Sequence, residues 1–153
     1  MRILFVHQNF PGQFKFLAPA LAASPEHEVV ALVMHKQLPA VWQGVRVLPY
    51  QPKRSSTAGI HPWLIDMETK IIRGEAVFHA AQALQASGFQ PDVIVAHPGW
   101  GESLFLKDVW PDARLAIYSE FFYKASDGDV GFDPEFPEPS QAVSAPRLRL
   151  KKL

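Results

Sequence analysis

The sequence predicts an α/β protein with a three-layer, Rossmann-like architecture, in which helices cover both faces of a parallel sheet. Five short apolar runs of strand length are separated by segments with helical spacing or with turn residues. Strands that alternate with helices imply right-handed βαβ units and a parallel sheet. The length of 153 residues, with 48% hydrophobic and 20% charged residues, suits one such domain. The doubly wound strand order 3-2-1-4-5 is therefore expected.

The first strand and the helix that follows it are predicted before residue 25. The apolar run Arg2–His7 has strand length and is followed by the turn signal Pro11-Gly12. Pro19 lacks a backbone donor and clashes one turn back inside a helix, so this helix should be kinked or should begin late. The helical spacing is carried by Phe14, Leu17, Ala18 and Leu21.

The next two strands and a long helix occupy the middle of the chain. Glu28–Met34 is apolar almost throughout, as a strand buried on both faces would be, whereas Val45–Tyr50 alternates more. After a polar loop at Gln51–Gly59, Pro62 is a suitable first residue for a helix that runs to about Ser87-Gly88. The stripe expected to face the core consists of Leu64, Met67, Ile71, Phe78 and Ala81.

The last elements are a fourth strand at Asp92–Ala96, a short helix at Gly101–Val109 and a fifth strand at Ala113–Ser119. Residues 124–146 are rich in Pro, Asp, Glu, Gly and Ser and indicate a long loop. Residues 1–137 are expected to form the domain, and residues 138–153 a linker towards a further domain. The basic end of the chain, Arg147–Leu153, leaves open peripheral contact with an anionic membrane, or self-association through an added strand.

Composition excludes several classes of function. The formal net charge is zero, so there is no electrostatic basis for binding nucleic acid. The absence of cysteine excludes disulfides, thiolate catalysis and Cys-ligated zinc. The first apolar run is too short for a signal peptide, and no run approaches the roughly 20 apolar residues that span a bilayer. The expected location is the cytoplasm, with the inner face of the membrane left open.

No cofactor or metal ion is expected. The histidines, at positions 7, 27, 35, 61, 79 and 97, show no pair at metal-ligand spacing within one element. Asp127-Gly128-Asp129 has carboxylates at a spacing that can hold a divalent cation, but a solvated turn is the better interpretation of this loop segment. The loop after the first strand has one glycine where the dinucleotide fingerprint needs three, which disfavours a nicotinamide or flavin dinucleotide.

Two loops are expected to carry the functional site. In the predicted strand order, the connections that leave strands 1 and 4 diverge, and a crevice opens at the carboxyl ends of those strands. Gly12 and Gln13 lie in the first loop, where a glycine ahead of a helix lets the backbone approach a phosphate. A tight strand-to-helix turn explains Gly12 equally well.

The second loop holds the most unusual residues of the chain. His97 can donate a hydrogen bond to a sugar hydroxyl, Trp100 offers an apolar face to a sugar ring, and Gly99 and Gly101 let backbone come close. The alternative is a structural histidine that caps a strand end, with Trp100 in the core. Ser103 is misplaced for a nucleophile elbow, so acyl transfer is not suggested.

Two further positions are weaker candidates. Glu120 follows the fifth strand, which is expected to be buried, at the same sheet edge and between aromatic residues. It can bind an acceptor hydroxyl or pair structurally with a base. His61 opens the long helix, where either helix capping or a ligand contact explains it. The candidate site comprises His97 as the catalytic residue and Gly12, Gln13, His61, Gly99, Trp100, Glu102 and Glu120 as substrate- or cofactor-binding residues.

The chain resembles a bacterial subgroup of the family-four glycosyltransferases. The resemblance rests on Met1–Phe16, Gly59–Trp63, Pro91–Glu102 and Phe132–Phe136, and extends to about Pro137. It implies the N-terminal, acceptor-side domain of a retaining enzyme of GT-B architecture, which transfers a hexose from a nucleotide-sugar to a glycan or a lipid-linked acceptor without a metal. It also implies that the Gly12 loop approaches the donor diphosphate and that His97 contacts the transferred sugar.

The resemblance also implies a second domain that residues 1–153 do not contain. In the family, the donor-binding Glu-x(7)-Glu region and the phosphate-binding Arg and Lys belong to the C-terminal domain, so these residues alone are expected to be inactive. A stand-alone binding module for a small sugar- or phosphate-containing ligand and a protein-interaction domain remain the alternatives, since a fold alone decides none of them.

Overall fold

A computed structural model describes residues 1–34 and 38–119, together with Glu135. Within these residues, six strands form one mostly parallel sheet in the order β3-β4-β2-β1-β5-β6. The α/β, Rossmann-like class is confirmed. The strands are β1 (Arg2–Val6), β2 (Glu28–Val33), β3 (Val41–Trp42), β4 (Val45–Pro49), β5 (Val93–Ala96) and β6 (Arg114–Ile117).

The sheet differs from the prediction by one added strand. The five parallel strands keep the predicted relative order, but β3 pairs antiparallel with β4 at the edge of the sheet. Gln43 and Gly44 close this hairpin with φ angles of +46° and +83°, which suit the tight turn between two strands. A strand of two residues is too short for hydrophobic periodicity to reveal, so the sequence pattern missed it.

The central strands explain why the carboxyl edge of the sheet carries the site. β1 lies between β2 and β5 and pairs parallel with both, so the three strands end at one edge. As predicted for its apolar run, β2 is buried from its second residue to its last. β6 is more exposed than the prediction of a buried fifth strand, with Ile117 41% exposed.

Helices cover both faces of the sheet, as predicted. They are α1 (Leu17–Ala22), α2 (Ile65–Ala86) and α3 (Leu106–Val109). α1 packs on the face that includes Phe5, and α2 and α3 pack on the face that includes Leu4. None of the helices in the described residues is long and apolar enough to cross a membrane.

The first helix begins late, which is one of the two outcomes expected from Pro19. A 3₁₀ turn at Gly12–Phe14 precedes α1, which begins at Leu17. Pro19 therefore lies in the first helical turn, where a backbone N–H would have no partner within the helix. The polar loop Gln51–Gly59 is also confirmed, and Glu68 of α2 fixes it by accepting hydrogen bonds from the Thr57 backbone and hydroxyl.

The predicted core stripe of α2 is only partly correct, since Ala81 is buried and Phe78 packs against the core while partly buried. Leu64 and Ile71 are 46% and 44% exposed. Ile71 and Ile72 are adjacent, so the apolar residues of the helix fit two different stripes. Gly74 lies on the buried stripe and has no apolar side chain to mark it. The buried residues of α2 are Ile72, Gly74, Val77, Ala81 and Leu84.

The predicted helix Gly101–Val109 is shortened to its last turn. Gly101 has a φ of +97°, which a right-handed helix does not use, and the helix begins at Leu106. The predicted loop at 124–146 and the basic end Arg147–Leu153 lie outside the described residues, apart from Glu135.

Candidate functional site

The two predicted site loops meet at the carboxyl ends of β1 and β5. Val6 and Ala96, the last residues of these strands, are paired in register. His7 and His97 follow them directly, and their imidazole centroids are 5.2 Å apart with the ring planes at 71°. The predicted first and fourth strands are β1 and β5 of the structure. The crevice expected between their loops is therefore flanked by two histidines, one from each loop.

His97 takes the structural role that the sequence left as one alternative, and its contact with a sugar hydroxyl stays a prediction. Its Nδ1 accepts a hydrogen bond from the backbone N–H of Gly99 at 3.2 Å, so it caps the turn after β5. In a neutral imidazole with Nδ1 as acceptor, Nε2 carries the proton and is a donor. The ring is half-buried, and it caps its own loop through Nδ1.

His7 repeats this arrangement on the neighbouring strand. Its Nδ1 accepts the backbone N–H of Asn9 at 3.0 Å, and the side chain is only 5% exposed. His7 was not predicted as a site residue. A usable signal was present, because His7 and His97 both stand immediately after strands that the predicted order makes neighbours.

The Gly12 loop packs against His7. Gly12 is exposed and has a φ of +43°, and a Cβ at this position would lie 2.8 Å from Cε1 of His7. The glycine is therefore needed for the turn and for the close approach to the ring. Gln13, also exposed, continues the same 3₁₀ turn. An approach of this loop to a phosphate stays a prediction.

Trp100 lies at the surface of the second loop, so its placement in the core is excluded. The side chain is 45% exposed, and the Arg73 guanidinium of α2 lies 5.3 Å from its ring centroid. A cation over one ring face attracts the indole and favours this orientation. Arg73 was not foreseen as a neighbour of the site, since nothing in its local sequence links it to a loop almost thirty residues away.

The glycines of the second loop serve contacts within the protein. A Cβ on Gly99 would lie 2.9 Å from Cε1 of His97. A Cβ on Gly101 would overlap the backbone of Lys70 in α2, and a Cβ on Gly74 would lie 2.8 Å from the Gly101 carbonyl oxygen. The close backbone approach foreseen at Gly99 and Gly101 is thus made to the His97 ring and to α2.

Glu102 is turned into the core. It is 1% exposed, and its Oε1 accepts a hydrogen bond from the Tyr50 hydroxyl at 3.0 Å. Within the described residues, Oε2 has no hydrogen-bond partner. Burial raises the pKa of the Glu102 carboxyl above its usual range, although the Glu102 backbone N–H, the Tyr50 hydroxyl and Arg73 oppose the shift. Burial and the neighbouring Glu102 also raise the pKa of Tyr50.

The buried carboxyl has a neighbour that the sequence did not indicate. Glu102 was predicted to touch a ligand, and in the structure it meets Tyr50 at the end of β4 instead. A direct ligand contact by Glu102 stays a prediction that would require the loop to turn outward. Sequence reasoning missed Tyr50, which is 52 positions away from its partner.

The remaining candidates lie apart from this centre or outside the described residues. His61 is an exposed helix cap whose Nδ1 accepts the Trp63 N–H at 3.3 Å. This capping role accounts for the residue, and a ligand contact stays a prediction. Glu120 and Asp127-Gly128-Asp129 lie outside the described residues. Among the described residues, no group of three acidic or histidine side chains is placed to hold a metal ion.

A cavity of about 800 Å³ lies at the opposite, amino-terminal edge of the sheet. Asp92, Trp110 and Arg114 are among its lining residues. In a parallel α/β sheet the ligand crevice is at the carboxyl ends of the strands. The two histidine loops therefore remain the candidate site despite the size of this cavity.

Comparison with known proteins gives one match. Residues 25–153 match a family described as the glycosyl transferase family 4 group. The matched segment includes the whole second loop and begins after the Gly12 loop. No curated protein and no solved structure matches the chain.

Proposed function

Because the chain belongs to the glycosyl transferase family 4 group, we propose that it forms the N-terminal, acceptor-side domain of a retaining enzyme of GT-B architecture. The proposed reaction transfers a hexose from a nucleotide-sugar to a glycan or a lipid-linked acceptor. The observation that carries this proposal is the meeting of the two loops at the carboxyl edge, with His7 and His97 in ring contact.

His97 is the proposed residue in contact with the transferred sugar. Its Nδ1 is occupied by the Gly99 N–H, so its Nε2 is the nitrogen that would donate to a sugar hydroxyl. Trp100, held by Arg73, would place an apolar face beside a sugar ring. The Gly12 loop would lie against the diphosphate of the donor, because backbone N–H groups at a turn ahead of a helix can approach a phosphate.

A second domain is part of this proposal. The two loops stand at an open sheet edge, whereas productive sites bury most of a ligand's surface. A nucleotide-sugar at this edge would need a cover on its other side, which the C-terminal donor domain of a GT-B enzyme would supply. Residues 1–153 alone are therefore proposed to bind weakly and not to complete transfer.

The first test is a transfer assay with UDP-glucose and GDP-mannose, using the chain alone and the chain with a family-four donor domain added. Activity that requires both parts is expected. His97→Ala should then lower kcat/KM by about 100-fold, the usual scale for loss of a well-placed donor in a transition state. His79→Ala is the matched control, because His79 is an exposed histidine of α2 whose Nδ1 lies 3.3 Å from Oε1 of Gln82.

Equal effects of the two alanine variants would argue against a specific role for His97. No transfer with both parts present and folded, when the donor domain alone binds UDP or GDP, would favour a stand-alone binding module.

A further inference from the structure

The His7 imidazole joins the two loops of the candidate site. It is 5% exposed, and its ring centroid lies 5.2 Å from that of His97 and 5.9 Å from that of Phe14. Its Nδ1 accepts the Asn9 N–H at 3.0 Å. The backbone of Gly12 lies against the ring, since a Cβ there would be 2.8 Å from Cε1 and 2.9 Å from Nε2. One side chain thus contacts both loops.

These contacts use two separable parts of the side chain. The Nδ1 atom sets the first turn after β1 through Asn9, while the ring fills the space beside His97. Phenylalanine would keep a ring and lose the acceptor. Asparagine would lose the ring but keep an acceptor at the same distance along the side chain, and it favours the same bond to the N–H two residues on.

We propose that His7 is a positioning residue that holds the Gly12 loop and the His97 loop in one mutual arrangement. The proposal rests on the proposed glycosyltransferase function, in which the Gly12 loop approaches the donor diphosphate and the His97 loop contacts the transferred sugar. His7 acts through its neighbours: the acceptor nitrogen orders the Gly12 loop, and the ring holds His97 from one side.

Two substitutions separate these contributions in the transfer assay with the donor domain present. His7→Phe should raise KM for the nucleotide-sugar about tenfold with a small change in kcat, since one hydrogen bond that orders the Gly12 loop is lost. His7→Asn should largely preserve KM and lower kcat about tenfold, since His97 loses its neighbour. His79→Phe and His79→Asn are the matched controls on an exposed histidine and should leave both parameters unchanged.

A readout that does not need transfer is hydrogen exchange of the Asn9 amide in the chain alone. Protection should fall about tenfold in His7→Phe and be retained in His7→Asn, because only asparagine keeps an acceptor for this N–H. If the unsubstituted chain shows no transfer even with the donor domain added, the proposed function fails. The exchange pattern of the Asn9 amide still decides whether His7 orders the loop. Unchanged protection in a folded His7→Phe variant would overturn the proposal.

Gly12→Ala provides a second route if His7→Phe does not fold. The new methyl group would push against Cε1 and Nε2 of His7, so Gly12→Ala should raise KM in the parent protein. In a His7→Asn background those two atoms are gone, and the added effect of the alanine should shrink by about tenfold or more. Additive effects in this cycle would contradict the positioning role. A fall in apparent kcat alone that follows the loss of folded protein would contradict it as well.

Discussion

Replacing Gly101 with alanine is expected to lower the free energy of unfolding by about 3 kcal/mol or more. Gly101 has a φ of +97°, a conformation that alanine adopts only with strain. A Cβ would also overlap the Lys70 carbonyl oxygen and lie 2.6 Å from the Lys70 Cα. Both contacts are with the backbone of α2, so relief requires the loop and the helix to separate rather than a side chain to turn.

Gly88→Ala is the matched control for this prediction. Gly88 has a similar φ of +93°, but a Cβ there would meet nothing within 4 Å. Its substitution should therefore cost only the conformational strain, about 1–2 kcal/mol. Urea unfolding followed by circular dichroism measures both variants. Equal losses would show that α2 does not crowd the loop, and the account of Gly101 given above would be wrong.

Sequence reasoning succeeded where one local pattern determined the outcome. The apolar runs at β1 and β2 had a single structural interpretation, because strands buried on both faces contain few polar residues. Their placement in the sheet followed from the handedness of βαβ units. The switch-point rule predicted that the loops after β1 and β5 would lie side by side, and the structure brings the two loops together there.

It failed where the deciding contact joins distant residues. A glycine in a loop has the same sequence signature whether a ligand or a helix lies above it, and only the fold shows that Gly101 faces Lys70. Glu102 is a charged residue in a polar-looking loop, and its burial depends on a tyrosine contributed by another strand. The core stripe of α2 was obscured because Gly74 occupies a buried position without an apolar side chain.

The Glu102–Tyr50 pair should make the stability of the chain depend on pH. Burial raises the pKa of Glu102 in the folded chain above its ordinary value of 4.5, so the folded state holds this proton more tightly than the unfolded state. Unfolding then releases a proton between pH 4.5 and the raised value, and the contribution of Glu102 to stability falls as pH rises through this window. The glutamine of Glu102→Gln does not ionise. The unfolding free energy of this variant minus that of the parent should therefore increase from about pH 4 to about pH 7.

Glu75→Gln removes a charge from an exposed position on α2 and controls for the change in net charge. Its unfolding free energy relative to the parent should not rise in the same way.

Tyr50→Phe tests the same pair from the other side. It removes the Tyr50 hydrogen bond to Oε1 of a carboxyl whose Oε2 already has no hydrogen-bond partner among the described residues. The loss should be about 1–3 kcal/mol at neutral pH and smaller in acid, because an unpartnered buried group costs most when it is charged. In a Glu102→Gln background the loss should no longer grow with pH. A loss that rises equally with pH in both backgrounds would assign the pH dependence to another group, since the hydroxyl of Tyr50 would then be acting on something other than this carboxyl.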